Sequence, residues 1–329
     1  MKALALLSGG LDSTLAIKVI LEQGIDVGAV NFYTPFCVCN RKGSCKHEGK
    51  RVAEEFEIEL KVINLSSEYL EIVKNPKHGY GKNLNPCIDC RILMLKQAKK
   101  LMEEKGASFL ITGEVLGQRP MSQHLAALRI IEREGGLDGL VLRPLSAKLL
   151  PLSIPEKEGW VNREKLLEIR GRSRKPQIDL AFKYGIADYP CPAGGCLLTD
   201  RGFAQRMKDL MTHSEVTLND VELLKTGRHF RLSLQAKLVV GRNEEENERL
   251  LRLTRIDDIC FKPVEVKGPI GIGRGDFDQT MICLASKIMA RYSDGNDEVR
   301  IAYQTLPGGE TGSTTARSMK DMELQKVRI

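Results

Sequence analysis

The residues best equipped for chemistry stand near the start of the chain, in Ser8-Gly9-Gly10-Leu11-Asp12-Ser13. The apolar run Ala3 to Leu7 precedes them, and apolar residues at helical spacing, Thr14 to Leu21, follow, so the segment reads as strand, tight loop, helix. Such a loop opens onto a helix N-terminus, where unpaired backbone N–H groups converge and favour an anion. Ser8 and Ser13 add hydroxyl donors, and Asp12 can hold Mg²⁺ or orient a nucleotide. No Gly-Lys-Ser/Thr follows the turn, so this is not the Walker arrangement.

Thiols form the second chemical group. Cys87 and Cys90, at i, i+3 spacing, can share one metal or cluster, but a lone Cys-x-x-Cys leaves zinc, redox and iron–sulfur roles open until a third ligand is found. Cys191 and Cys196, in a stretch where Pro and Gly free the backbone, are the candidates for it. A separate group, Cys37, Cys39, Cys45 and His47, has spacing that fits a zinc site holding down a basic loop, with non-ligand thiols as the alternative. Cys260 and Cys283 lie in apolar surroundings and read as core. Nine cysteines, several closely spaced and behind no secretory signal, argue for metal or sulfur chemistry rather than disulfides.

Positioning these groups requires a sheet. Asp26 to Phe32, Leu60 to Asn64, Ser108 to Gly113 and Leu140 to Leu145 read as further strands, separated by helices near His47 to Phe56 and Cys90 to Glu104. Alternating strands and helices imply right-handed crossovers and an α/β fold with a parallel sheet, whose ligands bind at the carboxyl ends of the strands. That rule gathers Ser8 to Ser13, Asn31 to Tyr33, Thr112-Gly113-Glu114, Arg143 and Lys148. Lys148 either neutralises phosphates or is a solvated loop lysine. In the polar loop Gly113 to His124, Gln118, Arg119 and Ser122 can hold a carbonyl or a phosphate, and Arg119 suits bidentate phosphate contact. His124 heads the next helix, as a cap or surface histidine or as a base.

With 329 residues there is room for two domains, and 42% hydrophobic with 28% charged residues is the balance of a soluble protein. No apolar run approaches the ~18 residues of a membrane span, so a cytoplasmic protein without membrane contact is expected. A net charge of +7 suits a polyanionic partner. The chain divides into an α/β domain over 1–155, a basic helical segment over 156–200 that completes the cysteine site, and a C-terminal α+β domain over 201–329. Arg172, Arg174 and Lys175 flank a helix break and suit backbone phosphates, or else form a solvated helix face.

Ser8 to Ser13 resembles the SGGxDS loop of the PP-loop ATP pyrophosphatases, and residues 1–200 resemble the tRNA thiouridine synthetases of that superfamily. The resemblance implies that ATP and Mg²⁺ bind at Ser8, Gly9, Gly10, Asp12 and Ser13, with Phe32 and Gly113 against the nucleotide and Lys148 near its phosphates. It makes Cys87, Cys90 and Cys196 the matching trio, catalytic together with Asp12. In iron–sulfur-dependent members such a trio binds a [4Fe–4S] cluster with an open iron; in others two of the thiols serve as persulfide carrier and resolving thiol. Cys191 would then be spare. The implied partners are tRNA, a sulfide or persulfide donor and a second copy in a homodimer, with Arg119, Arg172, Arg174 and Lys175 toward the RNA. No THUMP-type segment precedes Met1, and the loop after Gly113 departs from the bacterial anticodon 2-thiouridylases, so the resemblance speaks to the reaction more than to the modified base. Val240-Gly241-Arg242-Asn243-Glu244, Asn247 and Gly268-Pro269-Ile270 resemble the RNA-binding domain of NFACT proteins, which would supply a tRNA-gripping surface; a dimerisation or capping domain is the alternative. Two other functions fit less of the sequence: a PP-loop enzyme acting on a small metabolite, and a non-catalytic RNA-binding module.

Overall fold

In β1 (Lys2–Leu6) every second side chain enters a different apolar layer: Ala3 and Ala5 belong to one core, Leu4 to another. The same alternation runs through β2 (Asp26–Tyr33) and β4 (Phe109–Thr112), as a strand covered on both faces requires. A computed structural model describes residues 1–37, 45–187, 189, 195–295 and 298–329, and the backbone alone at 45–47. Among them the chain splits into two compact units, Met1–Thr199 and Asp200–Ile329.

The first unit is a five-stranded parallel sheet in the order β3-β2-β1-β4-β5, with β3 at Leu60–Asn64 and β5 at Val141–Leu142. Helices α1 (Leu11–Leu21), α2 (Cys45–Glu55) and α7 (Lys175–Lys183) contribute to one core, and α4 (Cys87–Glu104) and α5 (Leu125–Gly135) to the other. α3 (Ser66–Lys74) connects β3 toward α4. Because β2 and β3 lie on one side of β1 and β4 on the other, the order reverses between β1 and β4, and the loops after these two strands open beside each other.

Some boundaries differ from those expected. The strand read over Leu140 to Leu145 is two residues long, because Arg143 turns into an ion pair and Pro144 cannot donate to a ladder. The segment expected to be helical over 156–200 is less so: its described residues hold the end of α6 (Ile154–Lys157), α7 and short 3₁₀ turns at Arg163–Lys165 and Leu197–Thr199.

The second unit carries a six-stranded antiparallel sheet, β11-β10-β8-β9-β7-β6, built from β6 (Arg228–Arg231), β7 (Ala236–Val240), β8 (Ile259–Pro263), β9 (Gly271–Gly275), β10 (Glu298–Thr305) and β11 (Thr311–Arg317). Helices α8 (Arg201–His213), α9 (Leu218–Leu224), α10 (Glu244–Arg252), α11 (Gln279–Arg291) and α12 (Asp321–Val327) complete it, and α11 packs into the sheet's core through Ile288 and Met289. The glycine-rich segment Val264 to Gly275 contains the inner strand β9. A Cβ at Gly271 would lie 2.5 Å from Met289 Sδ and one at Gly273 2.6 Å from the Phe277 ring, so glycine lets the helix and the rings close on the sheet. No helix of the described residues is long and apolar enough to cross a membrane.

Buried ion pairs brace this unit. Arg274 joins Asp220 at 2.8 Å and Asp258 at 2.7 Å, and Arg255 joins Asp220 at 2.7 Å. Burial alone would raise the Asp220 carboxyl, but hydrogen bonds from Arg255 and Thr217 outweigh it and hold the group below the usual aspartate range. A depressed carboxyl stabilises the fold above its unfolded-state value and loses that contribution as pH falls through the folded value. The second unit should therefore lose stability as pH drops below about 4. Asp220→Asn should cost stability at pH 7, by roughly 1–3 kcal/mol, and flatten the acid limb of a urea-denaturation series; an unchanged acid limb would contradict this account.

Candidate active site

The loop after β1 is held by its own side chains. Ser13 donates to the Gly10 carbonyl at 2.8 Å, the Ser8 and Ser13 hydroxyls meet at 3.1 Å, and the Ser8 N–H donates to Ser13 Oγ at 3.3 Å. Gly10 caps α1 with φ −84°, whereas Gly9 sits at φ +76°, where a side chain would be strained and its Cβ would lie 2.6 Å from Glu48 Cβ. From beside the loop, buried Asn31 at the end of β2 donates to the Leu7 carbonyl at 2.7 Å.

The loop after β4 closes the other side. A Cβ on Gly113 would stand 2.5 Å from both Asp12 C and Ser13 N, so only glycine allows the two backbones this approach. Gln118 Nε2 donates to Asp12 Oδ2 at 3.1 Å, while Asp12 Oδ1 is buried without a partner among the described residues. An orphan carboxylate oxygen beside converging N–H groups fits a site for Mg²⁺ and phosphate. Glu114 lies beneath, paired with buried Arg143 at 3.0 Å and with Arg91 at 3.5 Å. Burial would raise Glu114, but Arg143 and then Arg91 outweigh it and keep the carboxyl below its ordinary range. Arg143 also pairs with Glu132, so its role is to brace the floor.

The thiols gather beside this cradle. Cys87 and Cys90 occupy the first turn of α4, one turn earlier than the helix start read from sequence. Asn83 Nδ2 donates to the Thr199 carbonyl at 2.8 Å and the Leu84 N–H to the Leu198 carbonyl at 3.2 Å, which draws the segment bearing Cys196 alongside. Cys196 is paired as an antiparallel bridge with Cys37, and the Leu197 N–H donates to the Phe36 carbonyl at 2.8 Å. The structure thus places Cys37 with the trio. Of the zinc group expected around it, Cys39 and the side chains of Cys45 and His47 lie outside the described residues, as does Cys191.

Tyr69, buried at 2% exposure, stands in edge contact with Phe36 at 5.6 Å, and its hydroxyl lies beside the Cys90 and Cys196 thiols. Burial pushes the Cys90 thiol up to about 11 and Cys196 up to about 12, and also raises Cys87 against the pull of Arg91, Arg119 and the 2.8 Å hydrogen bond from Asn85. These thiols are protonated at neutral pH until a metal or a reaction partner takes the proton. Soft donors converging in a dry pocket fit an iron–sulfur cluster in kind. As they stand, no three His, Cys, Asp or Glu side chains among the described residues could hold one metal ion together.

The remaining candidates divide. Arg119, on the loop that reaches Asp12, lies within electrostatic reach of Arg91, Cys87, Asp12 and Glu114. The Gly171 N–H donates to the Leu116 carbonyl at 2.8 Å, which brings the segment of Arg172 against the same loop; Arg172 and Lys175 are exposed and Arg174 half-buried. Lys148 instead donates to the Glu164 carbonyl at 2.9 Å, and Phe32 is half-buried against the apolar layer under the sheet. His124 caps α5 by accepting from the Ala127 N–H at 3.3 Å. Sequence reasoning missed Tyr69, Asn85 and Arg91. A tyrosine at helical spacing reads as core, and nothing local in sequence reveals that its hydroxyl meets thiols from two other segments.

Residues 1–148 match the family model "Thiamine biosynthesis protein (ThiI)", and residues 227–328 match "NFACT protein RNA binding domain". A probable tRNA sulfurtransferase of Thermococcus kodakarensis is 30% identical over 144 residues, 44% of this chain and 36% of that protein. The chain thus spans about a third of the length of the curated relatives it matches. A 4-thiouridine synthetase–RNA complex with bound ATP is 32% identical with TM-score 0.37, covering 44% of this chain and 37% of that one. The U34-tRNA thiolase NcsA from Methanococcus maripaludis, with its [4Fe–4S] cluster, is 16% identical with TM-score 0.32 over 64% of this chain and 65% of that one. One family model thus matches the N-terminal part of the chain and a different one its C-terminal part.

Gly113→Ala should disrupt the cradle, because its methyl group would meet backbone that cannot yield, whereas Gly10→Ala would meet only Ser8 Oγ, at 3.5 Å. The former should lose about 1–3 kcal/mol of stability, while the latter keeps the fold. Equal melting temperatures of the two variants in differential scanning fluorimetry would contradict the contact.

Proposed function

We propose that this chain is an ATP-dependent tRNA sulfurtransferase. The observation that carries the proposal is the juxtaposition, in one unit, of the Gly9–Ser13 phosphate cradle with Cys87, Cys90 and Cys196, joined by the loop that bears Gln118 and Arg119. The matches to tRNA sulfurtransferases and to an RNA-binding domain support it.

In this scheme the cradle binds the ATP phosphates, with Asp12 Oδ1 as the residue atom for Mg²⁺. A uridine carbonyl oxygen attacks the α-phosphate, pyrophosphate leaves, and sulfur displaces AMP from the activated carbon. The protein contributes position and charge neutralisation in a water-poor site. Reaching the base requires flipping it out of its stack, at a few kcal/mol that phosphate contacts by Arg172, Arg174 and Lys175 offset. Cys87, Cys90 and Cys196 would hold an iron–sulfur cluster, and what such a cluster supplies is a bound sulfide. Tyr69 orients Cys90 and Cys196 through its hydroxyl.

Cys196→Ala should leave pyrophosphate release intact and reduce single-turnover thiolation of tRNA at least about a hundredfold, the scale seen when one essential group is removed. Undiminished thiolation would remove Cys196 from the reaction.

A further inference from the structure

Beside the phosphate cradle and Cys87 stand two arginines, Arg91 and Arg119. Arg91 is the fifth residue of α4, one past Cys90 and just beyond the first turn. Its ion-pair partner, Glu114 at 3.5 Å, is shared with Arg143, which holds it closer, at 3.0 Å. Arg119, whose side chain is exposed, makes no hydrogen bond or ion pair among the described residues, and it lies within electrostatic reach of Arg91, Asp12, Glu114 and the Cys87 thiol. Its neighbour Gln118 is fixed on Asp12 Oδ2 at 3.1 Å, which pins the loop where it carries Arg119. On the far side, Asn85 donates to Cys87 Sγ at 2.8 Å. Two neighbouring guanidinium groups, one of them (Arg119) without a partner among the described residues, are suited to a phosphate.

Resting on the sulfurtransferase reading, we propose that Arg91 and Arg119 form the seat for the phosphate of the adenylated base, holding the AMP leaving group against the thiol face while sulfur replaces it. Hydrosulfide attacks the carbon that bears the AMP oxygen; a C–S bond forms, the C–O bond breaks, and its electron pair leaves with AMP. No oxidant or reductant is consumed. The seat is distinct in task from the loop at Ser8 to Ser13. The loop's backbone donors serve the pyrophosphate that departs first, and the arginines serve the phosphate that stays until sulfur arrives.

The experiment compares Arg91→Gln, Arg119→Gln and the two Arg→Lys variants with wild type in equilibrium binding of AMP, ATP and inorganic phosphate. AMP affinity should fall about tenfold or more in the Gln variants, as for loss of a bidentate charged contact, be partly restored by Lys, and fall much more than ATP affinity. In a single turnover with tRNA and sulfide, sulfur transfer should slow more than pyrophosphate release, so that adenylated RNA accumulates. Unchanged AMP affinity, or equal losses of AMP and ATP affinity together with a lowered melting temperature, would overturn the seat. Inorganic phosphate competing as well as AMP would make it a general anion site and overturn it too. Should wild type release no pyrophosphate with any tRNA, the sulfurtransferase reading fails, while the AMP arm still decides whether the arginines hold a nucleotide phosphate.

Discussion

The closeness of Gly113 to the Asp12–Ser13 backbone is the constraint on which the first unit depends. It exists because β1 and β4 are neighbours at the point where the strand order reverses, so two loops distant in sequence leave the sheet side by side. A methyl group would hold them apart. With hydrogen alone on that carbon, the loop after β4 can reach over the start of α1, fix Asp12 through Gln118 and deliver Arg119 to the edge of the cysteine site.

Beneath the cradle, charge is managed by pairing. Glu114 and Arg143 are both buried, and each would be costly alone. Together with Glu132 and Arg91 they form a braced floor whose members are set by the strand ends rather than by the ligand. The cysteine pocket follows a different logic. It is lined by Phe36 and Tyr69, so burial raises its thiols, and polar help comes from the Tyr69 hydroxyl, Asn85, the Leu198 backbone and the two arginines. A pocket of that kind favours whatever neutralises or accepts sulfur charge at the moment of reaction. The second unit solves a packing problem of its own, in which glycines of β9 let the sheet take α11 and two aromatic rings while Arg274 ties helix to strand.

Local patterns determined a good deal. The strand-loop-helix around Ser8 to Ser13, the two-faced apolar strands of the sheet, the Cys87–Cys90 pair and the change of pattern after residue 200 all rest on periodicity, glycine placement or short spacing, which act over a few residues and can be read directly from them. Tertiary structure decided the rest, because it depends on which chain segments meet. Nothing in the neighbourhood of Cys37 relates it to Cys196; the bridge between them follows from the end of β2 lying beside a segment that Asn83 and Leu84 hold in place. Lys148, a candidate for phosphate from its position after β5, is drawn to Glu164 because its short 3₁₀ turn faces that way. Nothing local marks Tyr69 or Arg91 in the sequence; folding puts a buried hydroxyl among thiols and an arginine of α4 beside another arginine.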